Sequence, residues 1–176
     1  MVRDLPEIQI DNKNKTVRFS KVPAIINVRA ELSKNRLPYF TFIIEEGCNL
    51  IKDYLEFRMH QNEAITEDSK LIQTPSKFTS FTKIRKNLGN SVKRAFNRAR
   101  FDQRPYVLRS YFSTILDNAN IQHNRQKFYA GHKGDVQMTY TLRKQLSEDM
   151  IEEMRQQFKE LVEPRLLTEG SNERSG

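Results

Sequence analysis

Through the first forty residues apolar and polar side chains alternate with the period of two expected of strands. Ile8 and Ile10 alternate, Asp11 to Lys15 is turn chemistry, and Thr16-Val17-Arg18-Phe19 resumes the pattern. Pro23 interrupts, Ile25 to Ala30 makes another extended run, Leu32 to Leu37 turns, and Tyr39 to Ile43 closes the series. The expectation is a small antiparallel three-stranded β-sheet near the N-terminus.

From Glu45 the period becomes helical. Leu50, Ile51, Tyr54, Leu55 and Arg58 fall on one face, with Glu45 and Glu46 in the first turn where acids are favoured. A polar loop from His60 to Asp68 and a short ordered piece at Lys70-Leu71-Ile72 lead to Pro75. Thr82 to Arg100 holds one helix or two, with Leu88, Val92, Phe96 and Ala99 as the apolar stripe and Gly89-Asn90-Ser91 as the place of the break if there are two. Pro105 opens the next helix at a position that tolerates proline, and Leu108, Tyr111, Phe112, Ile115 and Leu116 predict a buried stripe through Asn118. Gln122 to Ala130 is a short helix. Gly131 and Gly134 end it, and Asp135 caps a following helix that carries Val136, Tyr140 and Arg143 on one face. Ser147 caps the last helix, whose apolar face is Ile151, Met154, Phe158, Leu161 and Val162, ending near Pro164. The tail from Thr168 reads as disordered. The fold class expected is α+β, mainly helical, in one domain over residues 1–167.

Composition narrows the function classes. The chain has 176 residues, enough for one domain with a real core, at 37% hydrophobic and 30% charged content. No apolar run approaches the ~20 residues of a membrane span. No signal segment opens the chain, so a cytoplasmic, intracellular protein is expected. One cysteine, Cys48, excludes an internal disulfide and reads as a core residue. His60, His123 and His132 lack ligand spacing, so neither a metal nor another cofactor is expected.

The charge is uneven. The net value is +8, yet Lys77 to Arg109 holds ten Lys or Arg against Asp102 alone, a local balance of +9. Leu146 to Glu169 runs the other way, with seven acids against three bases. So dense a basic segment predicts a polyanion-binding face. Arg94 and Arg98 repel at i, i+4, a cost that an anionic partner would relieve.

The stretch from Phe128 to Tyr140 sets an imidazole, His132, in a turn and a phenol, Tyr140, in the helix after it. Alone it reads better as a corner with a buried tyrosine and a hydrogen-bonded histidine. Tyr106 and Arg109, three residues apart at the start of a helix, share a side, and a charge there must be paired or face a cleft.

Taken in order, Leu-Ser-Lys34 in a hairpin turn, Tyr106-Val-Leu-Arg109 opening a helix, and Gly-His132 followed by Tyr140 resemble the catalytic domain of the tyrosine recombinases, the phage integrase family, and in particular its archaeal-type integrases. The resemblance covers nearly the whole chain. Two departures accompany it. The family's first arginine, which precedes its sheet, has no counterpart here, and Tyr106 stands where the family has the first histidine of His-x-x-Arg.

The resemblance implies site-specific cleavage and rejoining of double-stranded DNA without a metal or cofactor. Tyr140 would attack the scissile phosphate to form a 3′-phosphotyrosyl link. Arg109 would clamp the non-bridging oxygens, His132 would hydrogen-bond the phosphate or assist the tyrosine proton, and Lys34 would protonate the 5′-oxygen leaving group. Tyr106 would donate a hydrogen bond to phosphate. Arg36, Lys83, Arg85, Lys86, Lys93, Arg94, Arg98, Arg100, Arg104 and Lys133 would neutralise flanking phosphates. Losing one oxyanion donor costs on the order of 10²–10³ in rate, so weak cleavage is expected without the missing arginine. Assembly as a homo-oligomer on DNA is expected, with no membrane partner. The alternative is a DNA-binding remnant or regulator without turnover.

Overall fold

The structure is a computed structural model that describes residues 1–33, 36–73, 81–130 and 146–166, the side chains of 81–88 excepted. The alternating segment closes two hairpins. Strands β1 (Ile8–Asp11) and β2 (Thr16–Phe19) pair antiparallel with Ile10 opposite Val17, and β3 (Ala24–Val28) and β4 (Tyr39–Ile43) pair with Ile26 opposite Thr41. The three-stranded sheet expected from the sequence is therefore two sheets of two strands. Its physical reason lies at the strand edges. The outward N–H of Val17 donates to the Glu56 carboxylate at 2.9 Å, and that of Ile25 to Glu7 at 2.7 Å. Side-chain carboxylates thus satisfy the edges that a third strand would have used.

Five helices follow among the described residues: α1 (Glu45–His60), α2 (Phe81–Arg98), α3 (Val107–Asn118), α4 (His123–Tyr129) and α5 (Glu148–Gln157), the last running on through a π turn (Phe158–Val162) into a short helix (Glu163–Leu166). The Ser147 cap is as expected, its Oγ accepting from the Met150 N–H. Helix α2 runs unbroken through Gly89, the first of the two alternatives the sequence left open. Within α1, Leu55 and Arg58 are buried as the period predicts, but Leu50 is 66% exposed.

Three helices end in the same way. At each end a residue in the left-handed region, Asn62 (φ 64°), Arg100 (φ 54°) or Asn120 (φ 52°), lets the next N–H reach back five residues to a helical carbonyl. These bonds run from Glu63 to Arg58 (3.2 Å), Phe101 to Phe96 (2.9 Å) and Ile121 to Leu116 (3.1 Å). Each satisfies carbonyls that a helix terminus otherwise leaves unpaired.

The described chain forms two compact units, one of Met1–Leu71 with the chain from Ile115 onward, the other of Ile72–Thr114. The first unit holds the buried core. Val2, Val17, Leu55, Met59 and Ile65 pack together, flanked by Ile8, Ile10, Ile51, Tyr54 and Leu71. A second cluster is aromatic. Phe42 lies against Tyr129 and Phe158 with ring centroids 6.0 and 5.3 Å apart, and Phe40 stacks edge-on to Phe128 at 4.8 Å. Gly47 of α1 faces Ile43, whose methyl would lie 2.6 Å from any added Cβ.

Buried charge ties distant parts of this unit together. Arg155, with 5% of its side chain exposed, pairs in bidentate fashion with Glu7, donates to the Pro23 carbonyl, and has its guanidinium carbon 5.5 Å from the centre of the Phe42 ring. Glu163 accepts from the Glu45 N–H at 2.8 Å, capping α1 from the far end of the chain. Arg58 forks onto Glu63 and donates to the Lys70 carbonyl, and Asn12 exchanges two 2.8 Å bonds with the Ile65 backbone. Cys48 is buried, as expected, and desolvation pushes its thiol up to about 11, so it stays protonated and unreactive at neutral pH.

Candidate nucleic-acid interface

Helix α2 forms because Val92 and Phe96 recur at helical spacing, and both are half-buried. Its end is held by the left-handed Arg100, after which the Phe101 ring packs edge-on against Phe96 at 5.3 Å. That contact between the residue after the turn and the last helical turn is the apolar clasp that accompanies this kind of helix stop. The rest of the helix is polar. Asn90, Lys93, Arg94 and Asn97 line a shallow recess of about 440 Å³. Arg94 donates to Ser91 Oγ at 3.2 Å, a local bond that holds the guanidinium along the helix.

Five of the expected phosphate-binding cations, Lys93, Arg94, Arg98, Arg100 and Arg104, are gathered on this helix and the turn after it, all exposed. Among the described residues none of them meets a carboxylate; the ion pairs lie in the first unit. Lys83, Arg85 and Lys86 belong to the first turns of α2. Arg36 is exposed with φ 55°, in the turn between β3 and β4, and belongs to the first unit.

Tyr106 and Arg109 sit one turn apart where α3 begins, and the Arg109 N–H donates to the Tyr106 carbonyl at 3.0 Å. Tyr106 is 70% exposed and Arg109 is exposed as well. The expected buried stripe of α3 holds only in its last turn. Ile115 and Leu116 are buried, Phe112 is half-buried, and Leu108 and Tyr111 are 51% and 55% exposed. The start of α3 is thus an accessible surface carrying a guanidinium, two phenols and a leucine. Tyr140, His132, Lys133 and Lys34 lie outside the described residues, as do the expected helix after Asp135 and the tail from Thr168.

Tyr129 is a different kind of tyrosine. It is 3% exposed, its hydroxyl lacks a hydrogen-bond partner among the described residues, and burial drives its pKa upward. It stays a neutral phenol, unsuited to attack on phosphate.

The sequence reading passed over Asn90 and Asn97, weighing the region of Asn90 only as the place of a break between two helices. The signal was present: two amides seven residues apart with an arginine between them share one face of an unbroken helix. No helix among the described residues is long and apolar enough to cross a membrane. The chain matches no protein-family model, and no curated protein or solved structure is significantly similar to it.

Proposed function

We propose that this chain binds double-stranded DNA through the basic segment of α2 and the start of α3, as the catalytic domain of a DNA strand-exchange enzyme of the tyrosine-recombinase type. The observation that carries the DNA reading is the set of exposed cations from Lys93 to Arg104 that meet no carboxylate among the described residues. A like-charged surface of this density is costly when unoccupied, and counterion release on meeting phosphates turns that cost into affinity.

The strand-exchange reading rests on the ordered residues Lys34, Tyr106, Arg109, His132 and Tyr140. An accessible Arg109 can clamp a non-bridging phosphate oxygen, and the Tyr106 phenol one turn away can donate to the same group. Tyr140 is the nucleophile, forming the 3′-phosphotyrosyl link while the 5′-oxygen takes its proton from Lys34; His132 supports the phosphate or the tyrosine proton. A homo-oligomer on DNA would bring pairs of such sites together.

Binding of a labelled duplex over a salt series, with a nicked duplex to trap the covalent adduct, tests both parts. With a log–log slope of about −0.9 per phosphate contact, five contacts give roughly a few-hundred-fold loss of affinity between 50 and 200 mM salt. The triple variant K93A/R94A/R98A should flatten that slope by about three contacts. Affinity insensitive to salt overturns the DNA reading. A weak adduct that vanishes in Tyr140→Phe supports strand exchange; salt-sensitive binding with no adduct favours a DNA-binding protein without turnover.

A further inference from the structure

The same helix carries more than charge. Asn90, Arg94 and Asn97, with Lys93 beside them, occupy about 100° of arc on α2, turned away from Val92. All four are exposed, and they line the recess described above. The amide side chains of Asn90 and Asn97 have no hydrogen-bond partner among the described residues. Asparagine is a poor helix former, disfavoured against alanine or lysine at an exposed helical position. Two of them on one solvated face contradict local propensity in the way that functional surfaces do.

We infer that α2 is a recognition helix that enters the major groove, where Asn90, Arg94 and Asn97 read base edges. This rests on the DNA reading above and deepens it from charge neutralisation to sequence readout. The geometry suits the groove. Asn90 to Asn97 spans about 10 Å of helix, close to three base pairs, and the groove of roughly 12 Å admits one helix. The chemistry selects purines: an asparagine amide pairs in bidentate fashion with adenine N6 and N7, and an arginine with guanine O6 and N7. The expected site is a block of three or four base pairs holding a guanine flanked by adenines. Arg100 and Arg104, beyond the end of the helix, hold phosphates and fix its register.

Selection of bound duplexes from a random pool by the full chain tests this, with single variants Asn90→Ala, Arg94→Ala, Asn97→Ala and, as a phosphate-contact comparison, Arg104→Ala. The wild type should enrich one short purine-containing block. Asn90→Ala and Asn97→Ala should each lose about tenfold to a hundredfold in discrimination at one base pair, with little change on random DNA, and Arg94→Ala should lose that discrimination together with one cation's share of the salt slope. Arg104→Ala should weaken all duplexes alike. Alanine raises helix propensity at positions 90 and 97, so misfolding would not account for the losses. Failure of the wild type to enrich any sequence while binding duplexes in a salt-dependent way overturns the inference and leaves the DNA reading standing. So do uniform losses in the asparagine variants or a preference for duplex RNA, whose narrow major groove excludes a helix. Failure to bind any duplex overturns both.

Discussion

Five arginines of the first unit and four of the second are used in opposite ways. Arg3, Arg29, Arg58, Arg125 and Arg155 each meet a carboxylate, and the most buried, Arg58 and Arg155, tie together segments distant in sequence or hold a loop. Arg94, Arg98, Arg100 and Arg104 are exposed and meet none among the described residues. The hydrophobic residues divide the same way: the described side chains of the Ile72–Thr114 unit are exposed or half-buried, whereas the first unit holds every buried one. A cation that has its anion inside the chain contributes to stability, and one that lacks it is available to an outside anion.

That contrast breaks most readily at Arg155. Arg155→Ala leaves Glu7 buried without its partner and should cost about 3–5 kcal/mol, read from the midpoint of urea unfolding, while Arg98→Ala should stay within about 0.5 kcal/mol. Equal costs would mean that the division between internal and external charge is not real. A smaller effect of opposite sign belongs to Arg100. A non-glycine residue in the left-handed region costs roughly 1 kcal/mol, so Arg100→Gly should raise the protection of the Phe96 to Phe101 amides in hydrogen exchange while lowering duplex affinity through its lost charge. The smallest effect concerns pH. The Lys21 ammonium holds the Glu152 carboxyl below its ordinary range, helped by Arg155. Its contribution is complete above the ordinary carboxylate range and is lost as pH falls through the lowered native value. Glu152 is 49% exposed, so the effect is screened. Melting curves at about pH 3 and pH 7 should lie slightly closer together in Glu152→Gln than in the wild type; an unchanged gap would show that the Lys21–Glu152 pair contributes nothing.

Local features were readable in the sequence where one short segment decides them. The β1–β2 hairpin followed from alternation and the Asp11–Lys15 turn, the α5 cap from Ser147, and the burial of Cys48, Met154 and Phe158 from helical spacing. What could not be read was set by partners far away. Nothing near Glu56 or Glu7 announces that their carboxylates close two strand edges, which is why one sheet was expected and two formed. Arg155 and Glu163 carry the signature of a solvated helix face, yet each is buried against residues more than a hundred positions earlier. The α3 stripe was periodic throughout, but periodicity does not say where the covering surface stops. For the candidate site, the basic cluster was plain from composition alone, whereas the two asparagines are ordinary until the helix is seen to be continuous.

The bond from Glu163 to the start of α1 has a consequence during synthesis. The first helix obtains its N-terminal anion from a residue translated 118 positions later, and Glu7 waits still longer for Arg155. While the ribosome is making the basic segment, the hairpins and α1 have only part of their final environment. Closure of the first unit therefore has to wait until Arg155 and Glu163 have left the ribosome, and until then its apolar surfaces are open to chaperones.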